Sequence, residues 1–411
     1  MAQAAGWLAG GLIALCFALA MVTRGITDSF GVFVPSLQAA FAADRASITA
    51  IYGLAMLGMG FGGPFAGQVL DRAGPRRLVL GGLLCVGAAL ALASRAGSVW
   101  QLQAALGLGL GLASAALGGV LQAALLGRWF AARLGTALAV VWSANGIGVM
   151  VFAPLAEALI AGRDWRFAYL CLGLAILALI VPVALLPWRR IEAGDPAVVG
   201  ARPAGGAAGG GGAGDGPTMA MALRDPPFWA LTAAFAFTSV SVYSLAPQIN
   251  AYLIDRGLGA ADAAHIWALT AVLMPLGMIG FNWLADRGGR VLGALAAYGC
   301  TGLGVVALWR VRGPDDAWLI GAFVLLFGST MGSRGPMIST LASLRYRGAH
   351  VGRIYGLITC GMGAGGALGA WLGGLAVDLT GGYDAAFILS LVALVLAAAP
   401  LVFEARARER M

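Results

Sequence analysis

Apolar stretches of twenty or more residues recur along the whole chain, and no other feature constrains its fold so tightly. A bilayer core about 30 Å thick is crossed by about 20 apolar residues of helix. Runs that satisfy or approach this length fall at 7–41, 46–70, 75–94, 99–127, 133–160, 166–188, 226–254, 262–284, 291–308, 317–344, 351–377 and 385–403. The reading is an all-α membrane protein with twelve transmembrane helices. Composition agrees, since 60% of the 411 residues are hydrophobic and 11% charged. A soluble domain carries about 25% charged residues, so a soluble enzyme of this size is excluded. The first run far exceeds the apolar core of a signal peptide and residues 1–6 carry no basic side chain, so it reads as a retained helix.

All 26 basic residues are arginine, set against 18 acidic ones, for a formal net charge of +8. They lie between apolar runs rather than on one contiguous face, which argues against nucleic acid as a partner. With both termini in the cytoplasm, seventeen arginines fall in inside loops and the tail and seven in outside loops, while Arg24 and Arg334 stand within helices. The positive-inside rule therefore places both termini in the cytoplasm. The five cysteines stand singly, and the two histidines, His265 and His350, are far apart. Neither a disulfide framework nor a metal site is expected, and no cofactor. A chain without lysine holds no phosphate loop ending in Gly-Lys-Ser/Thr, so direct ATP hydrolysis is not expected.

One long hydrophilic stretch, 189–222, includes the glycine-rich run Gly205–Gly214 and reads as a flexible cytoplasmic linker. It separates an N-terminal six-helix bundle, 1–188, from a C-terminal one, 223–411. The halves repeat: Asp71-Arg72-Ala73-Gly74-Pro75-Arg76 returns as Asp286-Arg287-Gly288-Gly289-Arg290, 215 residues on. Two parallel six-helix repeats joined by a central loop are one known transporter architecture.

On these residues the chain resembles the major facilitator superfamily over its whole length. Gly67-Gln68-Val69-Leu70-Asp71-Arg72-Ala73-Gly74-Pro75-Arg76-Arg77 is similar to that family's loop between helices two and three, and Asp164-Trp165-Arg166-Phe167-Ala168-Tyr169 to its entry into helix six. Within the superfamily, the stretches 24–33, 129–146 and 332–336 resemble bacterial relatives of monocarboxylate porters and oxalate:formate antiporters. The chain departs from them in having no arginine in helix eight and no lysine in helix eleven. The resemblance implies a secondary transporter of the bacterial inner membrane that moves small organic anions by alternating access, acting as a monomer. Proton symport stays open as its coupling. An exporter of a drug or amphiphilic metabolite is the alternative, and a non-transporting membrane sensor a more distant one.

Particular residues carry this reading. Arg24 in helix one and Arg334 in helix ten are charges at membrane depth, which belong in a bundle interior or a wet cavity. Arginine cannot shed its proton there, and its planar fork matches a carboxylate. The family resemblance puts helices one, four, seven and ten around a central cavity, so both arginines are expected to bind the anion. Asp28 lies four residues after Arg24, on the same helical face, and either neutralises it or carries a coupled proton. Gln122, Asn145, Tyr243, Asn250 and Tyr355 are candidate ligands, or else bond between helices. Asp71, Arg72, Arg76, Asp286 and Arg287 are the expected gating charges. Gly361, Gly365, Gly369 and Gly373 form a line of small residues for helix packing or, alternatively, dimerisation.

Overall fold

The computed structural model describes residues 2–130, 134–194, 219–335, 338, 345–346 and 351–409. Among them nearly every residue is helical and none is in a strand. Among the described residues nine helical runs are long and apolar enough to cross a membrane, and two shorter apolar helices, Ala317–Thr330 and Asp384–Pro400, accompany them. The longest run, Arg45–Ala93, is divided at Gly74, where φ 81° and ψ 165° break the helix. Twelve passages result. They are α1 (Ala2–Asp28), α2 and α3 (the arms 45–73 and 75–93), α4 (Val99–Gly127), α5 (Leu134–Gly162), α6 (Trp165–Ala184), α7 (Pro226–Tyr243), α8 (Ala260–Val272 with Met274–Gly288), α9 (Arg290–Arg310), α10 (Ala317–Thr330), α11 (Val351–Thr380) and α12 (Asp384–Glu409). Gly289, 215 residues after Gly74, repeats its conformation with φ 91° and ψ 145°. Only glycine adopts that backbone without strain.

Apolar runs one, four, seven and ten are not the unbroken helices that their composition predicts. The first gives way after Asp28 to a 3₁₀ turn, Phe30–Val32, before helix resumes at Val34. The seventh does the same through Ala246–Gln248, where Pro247 has no N–H to give. Run four breaks at Gly118, and run ten turns at 331–333. These breaks pair at offsets of 215–216, Phe30 with Ala246 and Gly118 with Ser333. Hydropathy sums side chains and is blind to φ and ψ, so a break between apolar residues leaves no trace in it. Irregular backbone at membrane depth persists only where protein or a wet cavity surrounds it.

Helix α11 lies between α7 and α2. Its glycine line faces α7: a methyl at Gly361, Gly365, Gly369 or Gly373 would meet Thr232, Ala236, Val240 or Ser244, one turn apart on each helix. Its other face meets α2, where Gly363 packs on Gly60 and Gly374 on Ala46 and Thr49. Contact between the two sequence halves along α2 thus runs from Gly60 to Ala46, at the end of the bundle called here the Arg45 face. The opposite end carries Asp71 and the entry to the linker. There Trp188–Ala193 is a short helix with Trp188 and Ile191 buried, and Trp129 donates its indole N–H to the Ile191 carbonyl at 3.0 Å. Residues 189–193 of the expected linker are thus helical, with Ile191 packed beside Trp188. The glycine-rich run Gly205–Gly214 lies outside the described residues.

Candidate functional site

Two arginines, half-buried Arg24 and buried Arg334, organise the interior. Arg24 sits one turn before the end of α1 and forms an ion pair with Asp28 at 2.8 Å, Nη2 to Oδ2. The spacing of four residues stacks the two side chains on one helix face. Asp28 also accepts the Tyr52 hydroxyl from α2 at 2.8 Å, while Arg24 Nη1 rests 3.1 Å from the Met59 sulfur. The Tyr52 ring packs at 5.6 Å from that of Tyr243 on α7. The indole N–H of Trp267, on α8, donates to the Asp28 backbone carbonyl at 2.9 Å. That carbonyl is among the last of α1, where the helix has no partner for it. One ion pair of the first half is thereby held by two aromatic side chains of the second.

Arg334 follows the turn at 331–333 and is 4% exposed. Its guanidinium lies over the Tyr298 ring at 5.1 Å and donates through Nη2 to the Thr301 hydroxyl. Thr301 and Thr330 share a hydrogen bond of 2.7 Å, and the Tyr298 hydroxyl one of 2.8 Å with Thr238 on α7. Arg334 is thus packed among α7, α9 and α10 inside the second half. Its Nε has no acceptor, and among the described residues no carboxylate pairs with it. No described contact joins Arg334 to the Arg24 group.

The remaining expected ligands are scattered. Buried Gln122 turns back on its own helix, its amide 3.3 Å from the Leu117 carbonyl. Asn145 is half-buried on α5, beside Gly146, which packs against the Ala271 carbonyl of α8. Tyr355, half-buried on α11, packs against the cluster holding Ile354 and Ile358. Asn250 is buried at the Arg45 face. Of the expected gating charges, Asp71, Arg72 and Arg76 are exposed, and Arg76 reaches the Ala184 carbonyl at 3.3 Å. Arg287 is exposed and lies over the Trp283 ring at 4.3 Å, while the Asp286 side chain lies outside the described residues.

The model of the Major Facilitator Superfamily matches residues 13–360. The chain belongs to that superfamily. This transporter is 28% identical over 390 residues to monocarboxylate transporter 13 of Bos taurus, covering 94% of this chain and 86% of that one. To monocarboxylate transporter 11 of Homo sapiens it is 31% identical over 398 residues, 94% of this chain and 80% of the other. An uncharacterized MFS-type transporter of Bacillus subtilis, YcxA, is 24% identical over 380 residues, 89% and 88% of the two. It is a multi-pass membrane transporter and not an enzyme.

Tyr52, Met59, Trp267, Tyr298 and Thr301 touch Arg24, Asp28 or Arg334, and the sequence reading did not name them. Each lies on a helix other than that of its arginine. The one sequence signal available is that tyrosine, tryptophan and threonine carry polar groups which need a partner at membrane depth.

Proposed function

We propose that this transporter moves small organic anions, monocarboxylates foremost, by alternating access between the bundles 1–188 and 223–411. The observation that carries the reading is Arg334: a guanidinium buried in the second half with a free Nε and no carboxylate against it among the described residues. A permanent cation in such a place is costly unless an anion completes it. The breaks in runs one, four, seven and ten support the same reading, because discontinuous helices mark substrate sites in secondary transporters. The names of the relatives, monocarboxylate transporters 11 and 13, agree with a carboxylate as cargo. The arginine bias of the loops supports cytoplasmic termini and a cytoplasmic-membrane location. In that orientation the densely packed Arg45 face is the outer one.

The test is anion binding to purified protein across a panel of monocarboxylates, followed by thermal shift. Arg334→Ala should abolish the shift with the protein still folded. Arg334→Lys keeps the charge but loses the planar fork, and affinity should fall more than tenfold, or more than about 1.4 kcal/mol. Intact affinity with a lowered melting temperature would make Arg334 a packing residue and remove the basis of the reading.

A further inference from the structure

The Arg45 face is held shut by a polar rim that spans both halves. The backbone N–H groups of Arg45 and Ala46, the first two of α2, donate to the Asp378 carboxylate of α11 at 2.9 and 2.7 Å. Asp44 takes the third, Ser47 N–H, at 2.8 Å. A carboxylate from the second half thus satisfies two orphan donors of a first-half helix and meets the positive end of its dipole. The Arg45 side chain extends the rim. It donates to Gln38 at 3.1 Å and to the Tyr383 hydroxyl, and lies 3.9 Å from Asp255. Tyr383 in turn donates to Asp255. Burial pushes the Tyr383 phenol above its ordinary range, against the pull of the Arg45 cation, so it stays a donor.

Asn250 lies in the same face, on the helix that ends at Asp255. It is 2% exposed, and among the described residues neither its amide nitrogen nor its amide oxygen has a partner. It is pressed against the 3₁₀ turn of the first half: a methyl on Gly31 would stand 3.0 Å from its Nδ2 and 3.1 Å from the Pro247 carbonyl. In this arrangement one primary amide, with two donors and an acceptor, is buried in the seam between the halves. Separation of the halves returns that amide to water. A buried polar group left unmade is among the costliest single features of a packed interface.

We propose that Asn250 is a release element, whose stranded amide offsets the rim of Asp378, Arg45, Tyr383 and Asp255 so that the closed and open states of this face stay close in free energy. The proposal rests on the alternating-access reading. Rim and amide act with opposite sign on one equilibrium, and a carrier held too tightly at either end of its cycle would not turn over.

The experiment measures distances by pulsed spin resonance between labels on cysteines replacing Ala40 and Ala261, both exposed and on opposite halves. It uses the full chain, otherwise cysteine-free, in lipid. Asp378→Ala should lower the closed-to-open ratio at least fivefold. Asn250→Leu, which keeps volume and removes the amide, should raise it, and should restore closure when added to Asp378→Ala. Melting temperatures confirm that each variant is folded, and Asp378→Asn replaces the alanine variant if that one is not. Two resolved distances whose ratio ignores Asn250→Leu in both backgrounds, or moves toward open, would overturn the proposal. So would loss of anion binding in Asn250→Leu at unchanged ratio, which would make Asn250 a ligand. One narrow distance in every variant, with and without a bound monocarboxylate, would overturn alternating access itself.

Discussion

Asp28 answers to three helices through two groups, its carboxylate to Arg24 and Tyr52 and its carbonyl to Trp267. The two groups are separable by mutation. Trp267→Phe keeps the buried ring volume nearly intact but leaves the Asp28 carbonyl without its donor. The cost is about 1–3 kcal/mol, read as a lower melting temperature. Asp28→Asn removes the charge and retains an acceptor for Tyr52. If this carboxylate takes part in coupling, as the proposed anion transport allows, the variant should still bind anion in a thermal shift but lose the pH dependence of uptake into vesicles. Uptake that keeps its wild-type pH profile in Asp28→Asn would leave this carboxylate as a fixed counter-ion alone. The sequence showed the Arg24–Asp28 pair because both lie one turn apart on one helix. It could not show Tyr52 or Trp267, which are 24 and 239 residues from Asp28.

At the scale of elements, helix contact depends on backbone closeness rather than on buried bulk, since lipid is as apolar as the side chains. A methyl on Gly365 would lie 2.1 Å from the Ala236 carbonyl oxygen, so Gly365→Ala must push α7 off α11. Overpacking of this kind costs about 1–3 kcal/mol. Gly299 on α9 is exposed with nothing near it, and Gly299→Ala should be neutral or stabilising by up to about 1 kcal/mol through helix propensity. Comparing the two melting temperatures checks the argument. A second element-scale case is the clamp at the start of α7. Asp225 receives Arg345 Nε at 3.0 Å and Nη2 at 3.2 Å, together with the Tyr346 hydroxyl at 2.9 Å. The Arg345 hydrogen bond holds the Asp225 carboxyl below its ordinary range. A depressed carboxyl stabilises the fold above its unfolded pKa, about 3.9, and that contribution fades as pH falls through the lower folded value. With both partners partly exposed, the clamp contributes about 0.5–1 kcal/mol. Asp225→Asn should therefore lower the melting temperature slightly at pH 7, and the difference from wild type should shrink below about pH 4.

For the whole molecule, the two halves carry corresponding irregularities in corresponding places: Gly74 with Gly289, and the 3₁₀ turn at Phe30 with that at Ala246. A rigid movement of one half against the other would have to break the contacts that the Arg45 face makes. Orientation is checked at the same scale. A cysteine at position 210, replacing Gly210 in an otherwise cysteine-free chain, should react in intact cells only with a membrane-permeant reagent. Labelling by an impermeant reagent would reverse the assignment and make the closed face the inner one.

The apolar runs and the scarcity of charge sufficed for the helical membrane fold, because the bilayer excludes every unpaired backbone arrangement except a helix or a closed barrel. The repeated Asp-Arg loops at Asp71 and Asp286 pointed to the superfamily, and each contains a glycine, Gly74 or Gly289, whose backbone no other residue adopts without strain. Local spacing likewise brought Arg24 and Asp28 together. Tertiary structure alone decided the rest. The breaks at 29–33, 118, 244–248 and 331–333 lie within apolar sequence, where hydropathy registers no change. The partners of Arg334, Thr301 and Tyr298, lie on α9, a helix that no local spacing ties to it. Which residue a buried charge meets depends on how helices rotate and tilt against one another, and that is set by close contacts between helices far apart in the chain.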